Sequence, residues 1–279
     1  YDKAINIFRG LLKKNPNDIN LLNNFGNVLT EKGQIDDAIY YFKKALENKD
    51  DFAQAHHNLG TAYKNKKLIK KAIQHFIKAI TIYPTYSDAI TSLADSYRDI
   101  NEIDLALKHY NEVLKIKKDE RILTKIGVLF FELCEFDKAI KNYTSALSIN
   151  PESSQAHFNL SLLQLFKGDF KRGLMNFNWR WKFENFDSKP LVTDKKKWIY
   201  GKNENFVIWP EQGIGDQILF ARFFNDLKKF KNHSTILVDP KLNKFLEQSF
   251  PELNFKIEIS SKNFDSHIPL GDLPGLFIN

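Results

Sequence analysis

Cysteine is almost absent: Cys134 is the only one in 279 residues. A lone thiol cannot close an intramolecular disulfide, so the fold has no covalent staple, and the chain reads as a cytoplasmic protein of a reducing compartment. Cys134 ends the apolar stretch VLFFELC, which predicts a buried or half-buried small residue rather than a nucleophile. Long apolar runs are also missing. None approaches the ~20 residues a membrane-crossing helix needs, so no membrane span is expected. Arginine is scarce: only Arg9, Arg98, Arg121, Arg172, Arg180 and Arg222 stand among 41 basic residues. Forked recognition of phosphates and bases favours Arg, so the formal charge of +7 reflects Lys-rich composition rather than a nucleic-acid partner. The run Lys195-Lys196-Lys197 reads as solvated linker. The first residue is Tyr1, inside a helical pattern, so the chain reads as a piece of a longer protein.

What is present is a repeat. Gly26, Gly60 and Ala94 are spaced by 34 residues; Gly127 follows after 33 and Ser161 after a further 34. Behind each lie a large residue, a second small residue, an aromatic and often proline. The best copies are Gly60, Tyr63, Ala72, Phe76, Ala79, Pro84 and Gly127, Phe130, Ala139, Tyr143, Ala146, Pro151. Ala4, Phe8 and Pro16 are the second half of a further copy. Small residues at the Gly60 and Ala72 positions let two helices approach closely. Tyr63 and Phe76 are expected to fill the gap to the next hairpin, and Pro84 to stop the second helix.

A period of 34 with this placement resembles the tetratricopeptide repeat. The resemblance implies an α-solenoid over residues 1–186, about five and a half helical hairpins wound as a right-handed superhelix. Its inner face would be lined by first helices. One equivalent position there carries Asn24, Asn58, Ser92, Lys125 and Asn159. The three asparagines resemble the ladder of O-linked N-acetylglucosamine transferases, whose amides hold an extended peptide. An amide both donates and accepts, so it can read a peptide backbone irrespective of side chains. His57, Thr61, Lys64, Asp95 and Arg98 should face the same groove, and the expected partner is a protein or peptide. His56, His75, His109 and His157 fall at scattered repeat positions, without the close pairing a metal site needs, so no metal is expected. The aromatic segment FNWRWKFENF should bury the open end of the solenoid.

Residues 187–204 have linker composition. From 205 to 279 strands and helices alternate. Strands are expected at Phe206–Trp209, Thr235–Val238 and Phe255–Ile259, with helices at Asp216–Lys229 and Leu242–Phe250. That alternation predicts a partial α/β, Rossmann-like domain with a parallel sheet and a ligand site at the strand carboxyl ends, where EQGIGD and Asp239 fall. A dinucleotide loop at Gly213 and Gly215, with Asp239 on a ribose, fails at its third glycine, because Ile218 stands there.

EQGIGDQILFAR, VDPKL and HIPLGDLPGLF, in that order, strongly resemble bacterial proteins in which tetratricopeptide repeats precede a two-Rossmann, heptosyltransferase-like glycosyltransferase. The resemblance covers nearly the whole chain and implies a truncated transferase. Asp216 would be the catalytic base that takes the acceptor proton. Gln212, Gly213, Ile214 and Gly215 would form the acceptor-side turn, with His267 before a closing loop. A nucleotide sugar would be a substrate of the parent protein, with no cofactor. The donor-binding half would lie outside this chain, leaving the fragment inactive alone. A non-catalytic interaction scaffold is the alternative, and a nucleotide-sugar-dependent enzyme outside glycosyl transfer a third reading.

Overall fold

The computed structural model describes residues 1–184, 186, 188–211 and 213–277, with Ser261 described in its backbone only. The chain divides into two compact units, Tyr1–Asn142 and Tyr143–Asn279, and the division falls inside a helix.

The helical part opens with α1 (Asp2–Lys14). Hairpins follow: α2 (Ile19–Glu31) with α3 (Ile35–Asn48), α4 (Ala53–Asn65) with α5 (Ile69–Ile82), and α6 (Ser87–Asp99) with α7 (Ile103–Ile116). Two more are α8 (Glu120–Glu132) with α9 (Phe136–Ile149), and α10 (Ser154–Phe166) with the shorter α11 (Phe170–Phe177). The second small residues of four hairpins, Ala38, Ala72, Ala106 and Ala139, are fully buried. Gly60 shows why glycine stands at the first small position. A methyl group there would lie 2.7 Å from the Phe76 ring. Phe76 therefore fills space inside its own hairpin, and the buried cluster it belongs to also takes in Leu93 of the next one. Gly26 meets Phe42 in the same way.

The turn inside each hairpin has a fixed backbone requirement. Gly33, Lys67, Asn101, Cys134 and Gly168 all adopt positive φ, between 59° and 80°. They recur at the repeat spacing, immediately after the first helix of each hairpin. Cys134 is thus an exposed turn residue, contrary to the expectation of burial. The hydrophobic run predicted a core site, but the left-handed turn lifts the side chain out of the helix face.

The second unit carries a parallel sheet of β1 (Lys196–Lys197), β2 (Phe206–Trp209), β3 (Ser234–Leu237), β4 (Asn254–Lys256) and β5 (Ser266–Pro269). The strand order is β1-β5-β2-β3-β4, and all four pairings are parallel. The lysine run is therefore not simply linker: Lys196 and Lys197 pair with Ser266 and His267 as an edge strand. Trp198, 3% exposed, stacks on Phe206 with ring centroids 4.0 Å apart. All four residues of β2 are buried, as a strand flanked on both sides demands.

The helical stretch after β2 is broken rather than continuous. It runs as α12 (Ile214–Phe220), a 3-10 turn (Ala221–Phe223), α13 (Phe224–Leu227) and a second 3-10 turn (Lys228–Phe230). Phe223, Phe224 and Leu227 still enter the core. α14 (Pro240–Ser249) starts with Asp239 as its cap, whose carboxylate accepts from the Lys241 N–H at 2.8 Å. α15 (Pro274–Phe277) follows β5.

Candidate functional site

Two regions collect the residues singled out by the sequence. In the first unit, His57, Ser92 and Lys125 line one cavity of about 290 Å³ on α4, α6 and α8. Asp88, Thr91, Lys117, Asp119 and Arg121 complete its polar wall. The side chains on these first helices are bonded to one another across neighbouring repeats. His57 Nε2 meets Ser92 Oγ at 3.0 Å, and Asn58 Nδ2 donates to Asn23 Oδ1 at 2.9 Å. Lys64 pairs with Asp99 at 3.0 Å, Arg98 with Glu132 at 2.6 Å, and Lys125 with Asp95 at 2.7 Å. Lys64, Arg98 and Lys125 thus already have carboxylate partners. Around the cavity, Asp119 likewise compensates Lys117 and Arg121 at 3.4 and 3.0 Å. Burial pushes the His57 imidazole below its usual range, so at neutral pH it adds no charge. Asn24 is exposed on α2. Asn159 lies on α10 in the second unit and is half-buried.

His56 and His75 do pair closely, against the sequence expectation. Their Nδ1 atoms are 3.0 Å apart, and His56 Nε2 lies 3.0 Å from the Asp50 carbonyl. A carbonyl only accepts, so His56 carries its proton on Nε2 and His75 donates to His56 Nδ1. His157 repeats the arrangement in the second unit, bonding the Pro151 carbonyl at 2.9 Å and Asn176 at 2.7 Å. In both hairpins the partner lies 19 residues on, where the second helix passes the first. The histidine thus ties its hairpin together. Among the described residues no group of three or more His, Cys, Asp or Glu could hold a metal ion.

The second region lies at the carboxyl ends of β2 and β5. These strands are neighbours, yet β3 and β4 extend from one side of β2 while β5 returns to the other. In open parallel sheets a reversal of this kind is where a ligand crevice can form, between the loops that leave the two strands. Gly213 caps α12 and is exposed, as is Gly215; Ile214 and Asp216 are half-buried in the first helical turn. Gln212 lies outside the described residues. The Gln217 side chain accepts from the Asp239 N–H at 2.9 Å, joining α12 to the loop after β3. His267 is on β5 itself. Its Nδ1 accepts from Trp209 Nε1 at 3.1 Å, and its ring also bonds the Lys195 backbone. Burial lowers its pKa, and both ring nitrogens are committed to the sheet.

A group not singled out from the sequence clasps these loops. Arg180, in the 3-10 turn Asn178–Lys182, is 0% exposed. Its Nε and Nη2 donate to Glu211 at 2.5 and 3.0 Å, and Nη2 also reaches Asp272 Oδ1 at 2.6 Å. Nη1 donates to the Phe177 carbonyl at 3.1 Å. The guanidinium lies over the Phe177 and Trp181 rings at 4.4 and 4.5 Å. Glu211 also accepts from the Gly271 N–H, and Lys197 pairs with Asp272. Two cations and two carboxylates therefore balance, as burial requires. Burial pushes the Glu211 carboxyl up, and Arg180 pulls against that shift. The available signal was an arginine, in a chain poor in arginine, placed between Trp179 and Trp181.

Comparison with known proteins identifies the repeats. Models described as tetratricopeptide repeat match residues 7–40, 53–86, 87–120 and 120–153, and one described as TPR repeat matches residues 26–67. Together they span residues 7–153, more than half of the chain, which belongs to the tetratricopeptide-repeat proteins. Among solved structures, MamA is 24% identical, with a TM-score of 0.52 over 63% of this chain and 98% of its own. YrrB, described as a TPR protein with an unusual peptide-binding site, is 21% identical, with a TM-score of 0.50 over 62% of this chain and 89% of its own. PilF of Pseudomonas aeruginosa is 14% identical, with a TM-score of 0.53 over 58% and 74%. At these identities the likeness is one of fold. A search of curated proteins returns no match. Among the described residues, no helix is long and apolar enough to cross a membrane.

Proposed function

We propose that this protein is an interaction module whose first helices bind an extended segment of a protein partner. The observation carrying this reading is the cavity on α4, α6 and α8, where three groove residues named from the repeat converge. Its cations Lys117, Arg121 and Lys125 are compensated by Asp119 and Asp95, and nearby Lys64 and Arg98 by Asp99 and Glu132. Such a surface gains little from partner charge, whereas Asn24, Asn58 and Ser92 suit the uniform donors and acceptors of a peptide backbone. The likeness to YrrB, itself described as having a peptide-binding site, supports the same class of partner.

Peptide display against the full chain, followed by calorimetry of a selected peptide, tests this. The double variant Asn24→Ala/Asn58→Ala should weaken binding by about tenfold, the loss of one or two hydrogen bonds. Unchanged affinity would remove the asparagines from the binding surface, and unchanged affinity in Ser92→Ala/Lys125→Ala as well would place the partner elsewhere.

A second reading is favoured by the strand order. The reversal between β2 and β5 supports a Rossmann-like half domain, with Asp216 at the crevice as the base of a sugar transferase. No hydrogen bond or ion pair engages the Asp216 carboxylate among the described residues, which suits a group waiting for an acceptor hydroxyl. The longer parent protein, incubated with labelled nucleotide sugars, should show hydrolysis or transfer that Asp216→Asn removes without loss of fold. Absence of both reactions leaves the scaffold.

A further inference from the structure

The group most in need of explanation is the buried guanidinium of Arg180. A charge taken fully out of water is costly unless geometry and pairing are both good. Here both are good, and the partners are telling. Glu211 begins the loop that leaves β2; Asp272 and Gly271 lie in the turn that leaves β5. These loops leave the two neighbouring strands at which the strand order reverses. Arg180 itself follows α11, the last repeat helix.

From this juxtaposition we infer that Arg180 is a positioning residue, which holds the β2 and β5 loops in one mutual arrangement and ties them to the terminal repeat hairpin. The inference rests on reading the region between those loops as a ligand site. Four features argue for a built clasp rather than a stray ion pair. The fork uses the planar, multi-donor shape of guanidinium, which lysine lacks. Glu211 closes the ring by accepting from Gly271, so the loops are also joined directly. Gly271 has no room for a side chain, because an added methyl would collide with Glu211 Oε1. Phe177 and Trp181 seal the cation from below and fix the plane of the fork.

The clasp makes a regional prediction that a general core role does not. In the full chain, Arg180→Lys keeps the charge and loses the fork. Amide hydrogen exchange should rise about tenfold or more at Gly271 and across residues 213–217, with β3 and α14 unchanged. Gly271→Ala, which leaves Arg180 intact and pushes Glu211 away, should loosen residues 213–217 in the same way. Unchanged exchange at both loops in both variants would overturn the inference. Equal loosening of β3 and α14 would also overturn it, by showing that Arg180 supports the whole unit without preference. Neither outcome depends on a ligand, so a failed search for transfer activity would leave this result readable.

Discussion

Three residues without glycine's freedom, Lys67, Asn101 and Cys134, hold the left-handed turn of their hairpins, a place where Gly33 and Gly168 sit without strain. A left-handed backbone costs an ordinary L-residue about 1 kcal/mol, less for Asn, whose side chain tolerates it. Lys67→Gly and Cys134→Gly should each therefore stabilise the protein. A net gain of about 0.5 kcal/mol is expected after glycine's greater unfolded-state entropy is subtracted, read as a higher denaturant midpoint. Gly33→Ala should do the reverse.

Histidine chemistry belongs to the same scale. Desolvation, followed by the neighbouring His56, Lys78 and Lys43 charges, pushes His75 down to about 4 from 6.5. Between those values the unfolded chain binds a proton that the folded chain refuses. Stability from this group is thus complete above pH 6.5 and drains away as pH falls towards 4. His56 is shifted the same way, chiefly by burial, and adds to the effect. Asp50 lies 3.7 Å from His56 Nε2 and opposes the shift without reversing it. Melting temperatures measured from pH 7 to 4 should fall, and His75→Gln should flatten that dependence. An unaltered slope would mean that the pair is not the proton-linked element.

At the scale of the element, the repeat helices were legible because each copy states its packing twice, once as a small residue and once as an aromatic. Gly60 and Phe76 make the point: the spacing announced both, and the structure adds that they meet inside one hairpin. Gly60→Val should destabilise by about 1–3 kcal/mol through overpacking against that ring, measurable by urea unfolding. The His56–His75 bond was hidden because repeat position says nothing about two side chains 19 residues apart on opposing helices. The sheet was half legible. β2 and β3 are apolar runs that announce themselves, whereas β1 is two lysines and β5 is Ser-His-Ile-Pro. Such strands exist because their neighbours need partners, not because their own residues favour extension. The clasp was illegible for a related reason, since Arg180, Glu211 and Asp272 meet only after the sheet has formed.

For the molecule as a whole, the last repeat hairpin and the sheet share one compact unit, Tyr143–Asn279. Arg180 supplies the reason at its centre. Arg180→Met would leave Glu211 and Asp272 buried without their shared cation, a loss of about 3–5 kcal/mol. Calorimetry should show that loss in the transition that reports the second unit. Gly60→Val should act on the first unit, because Gly60 and Phe76 lie within Tyr1–Asn142. The first helices present a charge-compensated face, with the clasped loops built separately in the other unit.

The proposed partner segment lies along those first helices, within reach of Thr61. A photo-crosslinking phenylalanine at Thr61, on α4, should capture a display-selected peptide. The same residue at the exposed Ile77, on α5, should not. Capture from position 61 alone is the predicted result; capture from position 77 alone, or equally from both, would contradict it.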